Sequence, residues 1–454
     1  MKKIAILGLA LLMLVLTLTS CGNDTPSLDK SEQKILSKRN DDNGYLCFTA
    51  LEPGSTIAMW TDENAPAISL QYSTNQKNWQ EFIVGQTEVR LENVNDRVYF
   101  RGNNPNGLAN YMGGFAVGNT FKLTGRLAGG GNIMCLIDSE NFKAMTEVPD
   151  YAFTYLFSGC ESLVTAPNLP ATNLSDSCYR EMFSACTNLE IAPVLPATKL
   201  AKKCYRGMFE SCFSLTVAPE LPATELAEDC YGEMFADCNS LKAAPELPAT
   251  KLAVGCYESM LRGCGSLTTA PELPATKLAE ECYEEMFEGC GSLTTAPELP
   301  ATELAEWCYE NMFRGCGSLT TAPELPATEL AEWCYERMFE DCGSLTTAPE
   351  LPATKLAEGC YNWMFANCYS LEIAPKLQAT ELAEGCYEFM FVCCNALKSV
   401  EVGFESFTDI PYGVTDNWLG GVAENGTFIW AGDDIYTERG ADTIPEGWTI
   451  VSAR

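Results

Sequence analysis

The chain has 454 residues, 29 Lys and Arg against 61 Asp and Glu, a formal charge of −32, and no histidine. The missing imidazole excludes Ser-His-Asp and Cys-His nucleophile systems and any His-bearing zinc or haem site. So acidic a balance repels phosphate backbones and argues against nucleic-acid binding. Hydrophobic content of 46% and charged content of 20% are those of globular sequence, and the length suits several domains or a repeat array.

Residues 1–21 read as an export signal. Lys2 and Lys3 precede an apolar run from Ile4 to Leu18, too short for a ~20-residue membrane span. The run ends in Leu18-Thr19-Ser20-Cys21, which resembles the bacterial lipobox and implies lipidation at Cys21. The plainer reading is a secretory signal with a chance cysteine. Gly22, standing where inner-membrane lipoproteins of Gram-negative bacteria carry Asp, implies by that resemblance a lipid-anchored, cell-surface place on the outer membrane. Residues 22–44 are polar, with few hydrophobes, and read as a flexible tether.

Residues 45–145 predict a small β-sandwich-like domain. Ile68-Ser69-Leu70-Gln71-Tyr72 and Glu88-Val89-Arg90-Leu91-Glu92 alternate, and Thr74 to Asn78 is a turn signal. Trp60, Trp79, Tyr72 and Tyr99 can form a sugar-stacking platform or fill the sandwich core, and core is the commoner fate. Gly129 to Gly131 lacks the setting of a phosphate loop and reads as a hinge.

From 146 to 400 the chain repeats every 26 residues in ten copies. Cys-Tyr recurs from Cys178 to Cys386 without an insertion, and a second cysteine follows eight residues later, from Cys186 to Cys394. In the copy from Thr302, Leu304, Cys308, Met312 and Cys316 are four apart with Tyr309 and Phe313 beside them, which predicts one apolar helix stripe. Thr302 would cap that helix, and Gly315 and Gly317 would let the chain leave it. Leu319 to Pro323 suits a short strand. The expected fold is an α/β solenoid of leucine-rich-repeat type, each helix-strand unit buried by its neighbours. Residues 401–454 break the period, carry Trp418, Phe428, Trp430 and Trp448, and read as a C-terminal β cap.

The pattern Met-Phe-x-x-Cys-x-Ser-Leu-x-x-Ala-Pro resembles the BspA-like leucine-rich repeats of bacterial surface proteins. The likeness covers about 250 residues. This chain differs in a longer unit and in a cysteine where the family has an aliphatic residue. The resemblance implies surface adhesion and protein binding rather than catalysis.

Cys308 and Cys316 would lie about 12 Å apart on a straight helix, beyond the ~7 Å reach of a disulfide. Reduced, buried ladders are therefore favoured, with disulfides the alternative. Each repeat offers two thiols and no Cys-x-x-Cys, so no metal site is expected.

After Ala-Pro, six successive copies carry Glu220, Glu246, Glu272, Glu298, Glu324 and Glu350. This row could recruit Ca²⁺ or a basic partner, or be a duplicated solvated turn residue. A second rail runs Lys199, Glu225, Lys251, Lys277, Glu303, Glu329, Lys355, Glu381, and most neighbours on it can pair. Trp307 and Trp333 share a slot that elsewhere holds Ser177, Lys203, Asp229, Gly255, Glu281, Gly359 and Gly385. That variety predicts exposure and marks the pair as a partner contact. The carboxylates of a glycosidase or lyase would need one singular place, whereas these repeat along the array, so no enzyme is expected. The resulting reading is a monomeric binding and adhesion array for a host or extracellular protein. The alternative is a lipoprotein that captures a surface glycan through its N-terminal β domain.

Overall fold

The computed structural model describes residues 44–408, 410–430 and 439–452. Cys21, the export signal and the tether up to residue 43 lie outside the described residues, as do residues 431–438 of the C-terminal segment.

The N-terminal part forms nine strands: β1 Leu46–Ala50, β2 Ser55–Thr61, β3 Leu70–Ser73, β4 Gln80–Phe82, β5 Val89–Leu91, β6 Arg97–Gly102, β7 Ala109–Met112, β8 Phe115–Thr124 and β9 Leu127–Gly130. Counting β10 (Leu163–Thr165), they make two sheets, ordered β10-β9-β1-β6-β3-β4 and β5-β2-β8-β7. The alternation of β1 and β6 turns Phe48 and Phe100 inward, and they meet Phe121 of the other sheet with ring centroids 5.3 and 5.4 Å away. β10 belongs to the first coil of the array and pairs parallel to β9. One sheet therefore runs from the β domain into the repeats.

No α-helix occurs among the described residues; the only helical turns are short 3-10 segments at Ile133–Leu136 and Phe142–Ala144. This overturns the expected α/β solenoid of leucine-rich-repeat type, and with it the helix-strand coil that the family resemblance implied. The stretch read as a helix is a ribbon of successive four-residue turns. Every fourth residue is left-handed, as at Ser177, Glu181 and Ala185 (φ 54°, 49° and 56°) or Trp307, Asn311 and Gly315 (54°, 53° and 72°). Alternate N–H groups bond differently. Those of Cys178, Arg180 and Met182 donate three residues back, to Ser175, Ser177 and Tyr179, whereas those of Tyr179, Glu181 and Phe183 donate to Cys204, Arg206 and Met208 of the next coil.

The misreading has a simple cause. A four-residue turn unit and a 3.6-residue helix both place i and i+4 on one side, so the stripe Cys308, Met312, Cys316 fits either. Gly315 does not end a helix; it occupies one of the regular left-handed slots. Thr302 accordingly caps no helix. The expected strand at Leu319 to Pro323 contracts to an isolated parallel bridge, Thr321 to Thr347. Pro323 has no N–H with which to extend it.

Inside the coils, identical side chains stack. Tyrosine rings run from Tyr179 to Tyr387 at 5.7–6.1 Å centroid spacing. Phenylalanine rings form a parallel row, interrupted at Leu261. All 22 cysteines among the described residues are free, and only Cys393 is exposed. The second cysteine of each coil donates from Sγ to a phenylalanine carbonyl of the preceding coil, for example Cys186 to Phe157 at 3.0 Å and Cys342 to Phe313 at 3.1 Å. Cys290 does the same to Leu261, at 3.2 Å. Burial pushes thiols such as Cys308 and Cys342 up to about 12, so the ladders stay protonated.

Both flanks imitate a coil. Cys160 Sγ donates to Phe121 O of β8 at 3.0 Å, and Phe121 stacks on Phe157 at 5.3 Å. At the other end, Gly413, Asn417 and Gly421 repeat the left-handed spacing, and Trp418 closes the tyrosine row against Tyr387 at 6.2 Å. β11 (Ser399–Val402), β12 (Thr427–Trp430) and β13 (Thr449–Ser452) then form a parallel sheet. The apparent break in period thus continues the stack with new residues.

A left-handed L-residue costs roughly 1–2 kcal/mol, partly offset by the entropy of glycine. Ala185→Gly should therefore raise unfolding free energy by up to about 1 kcal/mol in urea titration, and Gly315→Val should lower it by about 1 kcal/mol or more. In thiol-reagent titration of the native protein, Cys393 should react first, and the buried ladders only on unfolding.

Candidate functional site: the coil surface and a polar cavity

The coils place Glu220, Glu246, Glu272, Glu298, Glu324 and Glu350 on one exposed edge, one carboxylate per coil, and none of the six forms an ion pair among the described residues. Among the described residues no three Cys, Asp or Glu side chains gather as metal ligands would. Ca²⁺ takes six to eight oxygens, so a single file of carboxylates is poorly shaped for it. The neighbouring rail is compensated: Lys199–Glu225, Lys277–Glu303 and Lys355–Glu381 pair between coils at 3.2, 2.9 and 3.6 Å.

Trp307 and Trp333 occupy equivalent left-handed slots on the ribbon, but both are half-buried rather than fully exposed. Trp333 lies across the next coil: a Cβ on Gly359 would meet its ring, so only glycine leaves room for it there. Sequence reasoning missed a second aromatic group one turn along the ribbon. Trp363 stacks on Phe389 at 4.4 Å, and Arg337 Cζ sits 5.5 Å from the Trp363 ring centroid. The signal was present in the period, because Arg337, Trp363 and Phe389 are successive copies of the slot held by Glu181.

Between these aromatics and the N-terminal coils the ribbon is acidic. Arg206 bridges Asp229, Glu233 and Glu258 at 3.2, 3.1 and 2.7 Å, spanning two coils. It passes over Gly232, where a Cβ would stand 2.7 Å from Arg206 Nη1. Beyond it, Glu258, Glu284, Glu310 and Glu336 succeed one another in a single slot. Burial, then the flanking Glu310 and Glu258, push Glu284 up to about 8; burial, then Glu336, push Glu310 up to about 7.

The four aromatics suggested as a platform in the β domain do not converge. Trp60 projects from β2 and is 63% exposed, whereas Tyr72 and Tyr99 lie on β3 and β6 of the other sheet and Trp79 just before β4. Of the four, Tyr72 packs against the core, edge-on to Phe82 at 6.1 Å; the core centre holds Phe48, Phe82, Phe100 and Phe121.

A cavity of about 590 Å³ opens instead beside β3 and β6, lined by Tyr45, Gln71, Arg101, Asn103, Ser139 and Lys143 among others. Gln71 and Arg101 are cross-strand partners, and Arg101 Nε donates to Gln71 Oε1 at 2.8 Å. The guanidinium lies 4.2 Å from the Trp79 ring centroid; Tyr45 in turn holds Trp79 edge-on at 5.0 Å and meets Phe142 at 5.2 Å. On the rim, the Ser139 N–H and Oγ both donate to Asn103 Oδ1.

No protein-family model and no curated protein matches the sequence.

A carboxyl raised in the fold keeps a proton that the unfolded chain has already released. Stability from Glu284 and Glu310 is therefore present below about 4.5 and lost as pH rises toward 7 and 8. The melting temperature should fall between about pH 5 and pH 8, and Glu284→Gln with Glu310→Gln should flatten that slope in thermal scans.

Proposed function

We propose that the chain is a non-catalytic binding array that presents the ribbon face of its coils to a host or extracellular protein. One observation carries this reading. Inward slots hold the same Cys, Tyr, Met and Phe or a close substitute from coil to coil, while outward slots of identical backbone shape change freely. A scaffold of this kind separates folding from surface chemistry, so the surface can be matched to a partner without disturbing the core. The aromatic group of Trp307, Trp333, Trp363 and Phe389, with Arg337 beside it, has the residue types that dominate protein interfaces. The unpaired Glu220-to-Glu350 edge would steer a basic partner toward it.

In this reading Cys21 is acylated and holds the protein, as a monomer, on the outer face of the outer membrane. Support for that anchor is the sequence Leu18-Thr19-Ser20-Cys21. The resemblance to BspA-like surface proteins supports the same role without fixing the fold. A second reading, capture of a surface glycan through the N-terminal β domain, is favoured by the Tyr45–Phe142 cavity.

The test is binding of the unacylated Cys21→Ser chain to purified matrix proteins and mucins by surface plasmon resonance. Trp307→Ser with Trp333→Ser should weaken binding at least tenfold while leaving the melting temperature within a few degrees, since central interface aromatics contribute about 2 kcal/mol or more. Binding that survives loss of all four aromatics would remove the ribbon face as the contact.

A further inference from the structure

The β-domain cavity has an electrostatic character opposite to that of the whole chain. In a protein of charge −32, it is lined by Arg101 and Lys143 against one carboxylate, Glu140. Neither cation forms an ion pair among the described residues. Arg101 uses Nε on Gln71 and one face on Trp79, which fixes the guanidinium plane and leaves its terminal nitrogens without a hydrogen-bond partner among the described residues. A planar guanidinium held in this way suits the two oxygens of a carboxylate. Lys143 Nζ stands 5.8 Å from the Phe142 ring centroid on the same rim and adds an exposed positive charge.

The rest of the lining is that of a sugar site. Tyr45, half-buried and backed by the core residue Phe142, supplies ring surface, while Gln71, Gln76, Asn103 and Ser139 supply amide and hydroxyl groups for hydroxyls. The volume, about 590 Å³, lies within the range of small-ligand sites. A ring face, neutral polar groups and a pre-oriented cation meet in one place, which neither a bare phosphate nor a neutral sugar would require.

We infer that this cavity binds an acidic saccharide, with the sugar carboxylate on Arg101 and Lys143 and the ring against Tyr45. The inference rests on the glycan-capture reading and adds the charge of the ligand to it.

The whole unacylated chain is needed for the test, because the first coil donates β10 to the domain's own sheet. Titration calorimetry in about 0.15 M salt would compare uronate- and sialate-ended oligosaccharides, their methyl esters and inorganic phosphate, with Trp79 emission as a second readout. The expected result is binding of at least one acidic saccharide, at least tenfold weaker binding of its methyl ester, and no comparable binding of phosphate. Arg101→Gln and, separately, the exposed Lys143→Gln should each weaken the acid and leave the ester unchanged. Lys143→Gln guards against a folding defect at Arg101. Equal binding of acid and ester would overturn the charge assignment and leave glycan capture standing. Phosphate binding as tight as the saccharide would overturn the sugar assignment. Failure of every saccharide would overturn both.

Discussion

The architecture depends on where alternate backbone N–H groups go. In each ribbon one donates three residues back and the next donates to the coil that follows, as with Cys178 to Ser175 and Tyr179 to Cys204. An α-helix would satisfy these groups internally and could exist without neighbours. Here half of them require the next coil, because a buried amide left unpaired is costly. Folding and stacking are therefore one event. The same pairing closes the ends: on one side the Phe121 N–H of β8 donates to Leu156 O of the first coil, and on the other Trp418 O accepts from Phe391.

Stacking in strict register fixes what the interior can contain. A ring, thiol or thioether must face its own copy one coil away, so each must tolerate a like neighbour. Flat rings do so face to face, as the near-parallel Phe183 and Phe209 show at 2°. Thiols do so because burial keeps them neutral, and an Sγ–carbonyl bond gives the second cysteine of each coil a partner. Carboxylates tolerate it least. On the outward row, burial and then the neighbouring carboxylates raise the pKa of Glu284 and Glu310. On the Lys199–Glu225 rail, opposite charges on successive coils pair at three places instead. Repetition thus gives a uniform core and a surface whose electrostatics are set coil by coil.

The two candidate surfaces differ in how they were visible. The Trp307 and Trp333 slot could be located from the period alone, but not its partial burial, which comes from Gly359 lying beneath Trp333 in the next coil. The N-terminal cavity had no sequence signal. Arg101, Trp79, Tyr45 and Phe142 are scattered over about a hundred residues and meet only because β1, β3 and β6 are neighbours in a sheet. Trp60, read with Trp79 as one platform, was carried to the other sheet by the same topology.

By itself, the sequence determined the repeat length, the inward identity of Cys, Tyr, Met and Phe, and the Lys–Glu pairing across coils. All of these follow from a period of 26 and the cost of leaving apolar groups in water. Tertiary structure alone decided between helix and turn ribbon. Side-chain spacing of four is common to both, and what separates them is whether the backbone bonds to itself or to a neighbouring coil that local sequence cannot describe.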